Sequence, residues 1–326
     1  MWRYGEMSTV MNNQQLQPRI SIVMPLYNKA ATVAQSIASV LDQTVSNWEL
    51  VVVDDGSTDE GIAVVSALQD PRIRLVLQVN AGVSAARNKG IAESRTDLIA
   101  FLDADDVWLP TFLESILALQ KDFPQAQWFA TSYFIQEPNG SSSQARFNNS
   151  AAGFSRGVLK DYFNVAIQSE PPVWTSAVAV NKGAIVQIGG FPVGVASGED
   201  LLTWARLACV YGLAYDTSCH AVFQRSGIER RPSSQDVVGK ALRELAQIYP
   251  DIAGLSDYIG LWYRMQSVMA MWFMDIKLAR KYAVYAVRFG FKQMRNWYAL
   301  IIAFVPFGWG NKLDSMLRNQ IIKAAV

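Results

Sequence analysis

Three acids crowd the tetrapeptide Asp103-Ala104-Asp105-Asp106, directly after the apolar run Leu98-Ile99-Ala100-Phe101-Leu102. Alternate carboxylates at a strand end can point into one pocket. Hard divalent cations prefer such oxygen ligands, and Mg²⁺ takes one or two carboxylates plus phosphate oxygens. Acids this close repel one another without a cation. The plainer reading is helix capping by Asp105 or Asp106 ahead of Trp108-Leu109-Pro110, which accounts for one aspartate but not three. The segment therefore predicts a divalent cation site, Mn²⁺ or Mg²⁺.

Two further segments carry polar chemistry. Val51-Val52-Val53 runs into Asp54-Asp55-Gly56-Ser57-Thr58-Asp59. Acids at the end of a buried strand can accept hydrogen bonds from a base N–H and ribose hydroxyls, and Gly56 permits close backbone approach. A plain turn is the alternative, and Asp59 belongs to it as a cap for the next helix. Asn80-Ala81-Gly82-Val83-Ser84-Ala85-Ala86-Arg87 combines a glycine, small residues and a fixed cation. A helix starting there could approach a phosphate closely, with Arg87 as its charge partner. Close helix packing would use the same small residues.

These segments must be positioned by regular elements. Ile20–Met24, Trp48–Val53, Arg72–Leu77 and Leu98–Leu102 read as buried strands, the first ended by Pro25. Lys29–Leu41, Glu60–Leu68 and Gly82–Ala92 read as helices between them. The alternation predicts an α/β fold with a mostly parallel sheet and helices on both faces. Ligands bind such sheets at the carboxyl ends of the strands, where Asn28, Asp54, Asp55 and Asp103 to Asp106 all fall. Residues 136–152 form a Ser/Asn/Gly-rich loop, and the chain beyond Pro232 reads as helical.

Composition narrows the classes. The chain has 326 residues, enough for one large domain and an appendix. Its net charge of +1 gives no electrostatic case for nucleic acid. Cys209 and Cys219 are too few for a disulfide framework and lack metal-site spacing, so they read as reduced cytosolic thiols. Residues 1–18 are polar, have no apolar signal core, and read as a disordered leader. The Rossmann glycine pattern and the P-loop are both absent, which argues against hydride transfer and NTP hydrolysis.

Taken together and in order, Pro25-Leu26-Tyr27-Asn28, Val53-Asp54-Asp55-Gly56-Ser57, Asn80-Ala81-Gly82, Ala86-Arg87-Asn88 and Leu102-Asp103-Ala104-Asp105-Asp106 resemble glycosyltransferase family 2. The likeness is close over residues 20–110 and looser to about 226. It implies a GT-A (Rossmann-like) catalytic domain over 19–230, with a nucleotide-sugar half (19–110) and an acceptor half (111–230). Pro25, Tyr27, Asn28, Asp54 and Asp55 would then line the nucleotide-sugar site. Gly82, Arg87, Asp103 and Ala104 would complete it. Asp105 would be the main metal ligand, with Asp103 beside it.

Gly198-Glu199-Asp200 resembles the family's Glu-Asp segment, in which an acid at a helix start acts as base. Asp200 is the expected base and Glu199 the second choice; a charged first helical turn is the alternative. His220, the single histidine, would be a third metal ligand by the same resemblance. Here the chain departs from the pattern, since Arg225 is followed by Ser226 where the family places a histidine. Trp174 and Trp204 could stack on an acceptor sugar or pack the core.

The resemblance implies inverting transfer from a nucleotide-sugar, with UDP first among the bases, to a hydroxyl of a glycan or lipid-linked glycan. Surface polysaccharide biosynthesis is the expected setting. A polyprenyl-phosphate sugar synthase and a non-catalytic membrane-docked module are the alternatives. Residues 231–326 differ in character, with Trp, Met and basic residues interleaved and a last apolar run too short and too broken to span a bilayer. They read as amphipathic helices at a membrane interface, as a subdomain packed on the core, or as a homodimer contact. The first reading puts the protein at the cytoplasmic face of the membrane.

Overall fold

The computed structural model describes residues 18–148, 153–225 and 235–304. The expected leader up to residue 17 and the final apolar stretch around Trp309 lie outside them. The first half alternates as the apolar runs require. β1 (Ile20–Leu26), α1 (Val33–Leu41), β2 (Trp48–Asp54), α2 (Gly61–Ser66), β3 (Ile73–Leu77), α3 (Val83–Glu93) and β4 (Leu98–Phe101) follow one another. β2 is buried along its whole length, as a strand covered on both faces must be. α1 buries Val33, Ser36, Ile37 and Val40, one face of a helix.

Two boundaries differ from expectation. β1 continues through Pro25, which pairs with Val53 of β2. On its other edge β1 pairs with β4 only over Ser21–Val23, so no ladder bond is asked of the prolyl nitrogen. α1 starts at Val33 rather than Lys29. Residues 29–32 form a turn, with the Ala30 N–H donating to Asp59 Oδ2 at 2.8 Å.

The second half contributes β5 (Val107–Trp108), α4 (Phe112–Asp122), β6 (Trp128–Gln136), β7 (Ser142–Gln144), β8 (Arg156–Leu159) and α5 (Tyr162–Gln168). Then come β9 (Val178–Asn181), α6 (Lys182–Gln187), α7 (Glu199–Val210) and β10 (Leu213–Gln224). β7 falls inside the expected surface loop and is exposed. The strands form a ten-stranded sheet in the order β3-β2-β1-β4-β9-β6-β10-β5, with β7 beside β6 and β8 beside β10. β1 to β4, β6 and β10 all run one way, so the sheet is mostly parallel. Alternate residues feed opposite faces: Ile22 and Met24 one core, Val23 the other.

Helices α8 (Val237–Ile248), α9 (Leu255–Trp272), α10 (Ile276–Phe289) and α11 (Met294–Phe304) complete the described chain. Tyr258 of α9 packs against Tyr162 and Phe163 of α5, at 6.3 and 5.3 Å between ring centroids. Thus α9 is part of the core and carries α10. Among the described residues no helix is long and apolar enough to cross a membrane. α11 leaves Met294, Trp297, Tyr298, Ile301 and Phe304 exposed along one side.

Candidate functional site

A cleft of about 700 Å³ opens at the carboxyl ends of β1, β2 and β4. Pro25, Tyr27, Asp55, Gly82, Arg87, Asp103, Ala104 and Asp105 line it from the first half of the chain. Glu199 and Asp200 reach the same cleft from the start of α7. The expected residues therefore converge, apart from Asn28, Asp54 and His220.

The strand-end loops are held by their own acids. Asp54 Oδ2 accepts from the N–H groups of Gly56 and Ser57 at 3.0 and 3.1 Å, closing the turn beneath the cleft. Asn28, at φ +52°, accepts from the Thr58 N–H at 2.8 Å and ties the first two loops together. Asp55 accepts from Gln78, from the Ala81 N–H and from the Gly82 N–H, each within 2.8 Å. It thereby splints the start of α3 against β2. Gly82 sits at φ +90° with open space where a Cβ would project, so a side chain there would enter the cleft.

Arg87 is buried under the floor. Its Nη2 donates to both oxygens of Asp103 at 2.8 and 3.0 Å, and its Nη1 to Glu199 Oε1 at 3.2 Å. Burial by itself lowers its pKa, but the charges of Asp103 and Glu199 outweigh burial and raise it above the ordinary value. This fork fixes the end of β4 relative to the start of α7. Asp105 is half-buried, and the Lys29 ammonium pairs with it.

Asp200 lies two residues after Gly198, which adopts φ +81°. Burial, then the neighbouring Glu199 charge, pushes its carboxyl up to about 6, while Arg87 and the Leu201 N–H pull the other way. A carboxylate poised near neutrality suits a general base. A Cβ on Gly198 would stand 2.5 Å from the Trp262 ring. We therefore expect Gly198→Ala to lower stability by about 1–3 kcal/mol, from overpacking and left-handed strain. Chemical denaturation measures this, and an unchanged midpoint would show that the turn before Asp200 tolerates a side chain.

Two residues that sequence reasoning did not assign have defined places. Lys29 donates directly to Asp105 on the cleft wall. Asp106 is not a helix cap, because α4 begins only at Phe112. It accepts from Trp174 Nε1 at 2.9 Å, Ser176 Oγ at 2.6 Å and the Gln224 N–H at 3.0 Å. Burial, then the Asp103 charge, pushes Asp106 up to about 7 against those donors. It holds Trp174, which lines the cleft and packs on Phe223 at 3.9 Å. Trp204 is fully buried against Trp128 and Phe191, so it packs the core.

His220 requires a correction. Its ring nitrogens meet Thr111 Oγ1 at 2.9 Å and Ser115 Oγ at 3.0 Å, on the α4 side of β10. It does not line the cleft, and burial lowers its pKa. β10 carries it past the cleft, so the structure does not bring it together with Asp103 and Asp105.

Residues 21–182 match glycosyl transferase family 2. The chain belongs to that family. An uncharacterized glycosyltransferase of Rickettsia bellii is 31% identical over 210 residues, which is 63% of this chain and 29% of the relative. An Escherichia coli UDP-Glc:alpha-D-GlcNAc-diphosphoundecaprenol beta-1,3-glucosyltransferase is 43% identical over 101 residues, 31% of this chain and 40% of the relative. The chain thus spans well under half the length of these two relatives. S. aureus TarS 1-349, solved in complex with UDP-GlcNAc, superposes with a TM-score of 0.63 at 14% identity, covering 88% of this chain and 89% of that one. The shared GT-A fold places the family 2 strand ends around the cleft described above.

Whether this family 2 cleft suits a divalent cation turns on its donor set. Among the described residues no group of three or more His, Cys, Asp or Glu is disposed to hold a metal. Asp105 and Asp103 nevertheless stand as alternate carboxylates on the cleft wall, where Lys29 pairs with the first and Arg87 with the second. That fits a hard cation that takes one or two carboxylates and completes its shell with substrate phosphate.

Proposed function

We propose that the protein transfers a sugar from a nucleotide-sugar to an acceptor hydroxyl, with inversion at the anomeric carbon. One observation carries this reading: Asp103, Asp105 and Asp200, from two distant chain segments, share a single cleft. UDP is the favoured nucleotide, supported by the UDP-sugars named for the E. coli relative and for TarS. The acceptor we favour is a glycan carried on a polyprenyl diphosphate, the class named for the E. coli relative, in surface polysaccharide synthesis.

The residues divide the work. The start of α3 presents positive potential to the diphosphate. Asp105 and Asp103 would hold Mn²⁺ or Mg²⁺, which supplies Lewis-acid stabilisation of the departing nucleoside diphosphate when bound. Arg87 keeps Asp103 and Glu199 in register. Asp200 takes the proton from the acceptor oxygen as it attacks the anomeric carbon, opposite the leaving group. No second carboxyl is required as acid, since the diphosphate leaves without protonation. The exposed apolar side of α11 supports docking at the cytoplasmic face of a membrane.

The test is thermal-shift binding of UDP-, GDP-, dTDP- and CMP-sugars, with and without Mn²⁺. We expect one nucleotide class to raise Tm by several degrees in a metal-dependent way, as saturating ligand adds about 3 kcal/mol. Asp105→Ala should abolish the metal dependence. A folded wild-type protein that responds to no nucleotide sinks the reading.

A further inference from the structure

Beside the cleft lies a second cavity of about 330 Å³, between α5, the start of α7 and α9. Leu261, Met265, Met269 and Trp272 line it along one face of α9. The helical rise puts about 16 Å between the first and last of these, so the cavity is a groove rather than a round pocket. Ala166 and the Pro171-Pro172 pair face them. Among the described residues its one charged wall side chain is Glu170, which Arg146 already pairs at 3.1 Å. No cationic side chain among the described residues lines the groove to grip a phosphate, its polar groups are few (Ser169, the Tyr162 and Tyr258 hydroxyls and the Trp262 indole N–H), and the rest of the wall is apolar. It matches hydrocarbon.

The groove adjoins the cleft in three places. Met269 lines both cavities. Leu201 lines the groove and adjoins Asp200, which lines the cleft. The chain passes from Pro171 and Pro172 on the groove wall to Trp174 and Thr175 on the cleft wall. A molecule with an apolar tail and a sugar head could therefore occupy both at once, with its hydroxyl beside Asp200.

We propose that this groove binds the polyprenyl chain of the acceptor. The inference rests on the transferase reading and adds where and how the acceptor lipid is held. Trp272, partly exposed at the end of the lining face, marks where the chain leaves for the membrane.

The experiment titrates the full chain with farnesyl phosphate and with dimethylallyl phosphate, which share a headgroup and differ in chain length. Intrinsic fluorescence reports binding, since Trp262 and Trp272 line the groove. Farnesyl phosphate is expected to bind at least about tenfold tighter, because each added methylene is buried. Met265→Glu should remove that preference; should it fail to fold, Leu261→Ser serves as the second variant. Both variants should keep the wild-type thermal response to nucleotide-sugar. Equal Kd values for the two phosphates, or a preference unchanged by a folded variant, overturn the proposal. So would a groove substitution that abolishes self-association in sedimentation without any chain-length preference, which would give the face to a second copy. Chain-length preference without any nucleotide response would leave the groove standing and sink the transferase reading instead.

Discussion

Asp200→Asn is expected to lower kcat by roughly 10²–10⁴-fold while leaving nucleotide-sugar affinity nearly unchanged. The substitution keeps the size of the side chain and removes the only function we assign to it. Asp200 lies in the cleft, and its Oδ1 accepts from the Leu201 N–H at 2.7 Å, which fixes its rotamer. Its neighbour Glu199 is committed to the buried Arg87 and is the poorer base.

The pH profile separates the two acids. A base works deprotonated, so kcat/KM should rise with pH through about 6, the value to which burial and Glu199 push Asp200, and then level off. Asp200→Asn should lose that rising limb together with the rate. A variant that keeps wild-type kcat, or the same limb, would move the base to another residue.

Arg87→Met is expected to cost about 3–5 kcal/mol of stability, the usual penalty for removing one partner of a buried ion pair. Two carboxylates depend on this guanidinium. Asp103 takes both of its oxygens to Nη2, and Glu199 takes Nη1. Without the cation, Glu199 would stay desolvated and both charges would raise the pKa of Asp200 further. At a few degrees per kcal/mol, Tm should fall by about 10 °C. Arg87→Lys should recover little, because a single ammonium cannot reproduce the fork between two acids. Differential scanning calorimetry decides the matter: a Tm within about 2 °C of wild type would mean that the pairs contribute almost nothing, as at exposed sites.

The parts of the site that sequence reasoning located are those built from local chemistry. β2 carries the apolar run Leu50–Val53 and had to be a buried strand. The Asp-Asp-Gly-Ser turn at its end draws its hydrogen bonds from residues two and three positions on. Gly82 has a positive φ that only glycine adopts easily, and the small residues of α3 allow close packing, with Gly90 directly over Val23. Such signals lie within a few residues of one another, so one chain segment suffices to read them.

What escaped depended on residues far apart. Asp106 looks like part of the acidic cluster, yet its partners Trp174, Ser176 and Gln224 lie 68 to 118 residues away. Nothing near Asp106 announces that it is a buried strut. His220 was drawn to the metal by resemblance, and only the course of β10 against α4 showed that its nitrogens are taken by Thr111 and Ser115. The composition of α9 fits a membrane interface, a core helix or a dimer contact equally well. Its packing on α5 made it core, and the face left toward α7 made the groove.

Strand-end acids, glycine turns and apolar periodicity were thus settled by short-range sterics and hydrogen bonding, which any stretch of a dozen residues carries with it. The pairing of Arg87 with Glu199 was settled between segments 112 residues apart, and the raised pKa of Asp200 and the placing of the groove beside the cleft by burial that only the packed elements create. Desolvation and Coulomb energy depend on what surrounds a group, and only the folded chain supplies those surroundings.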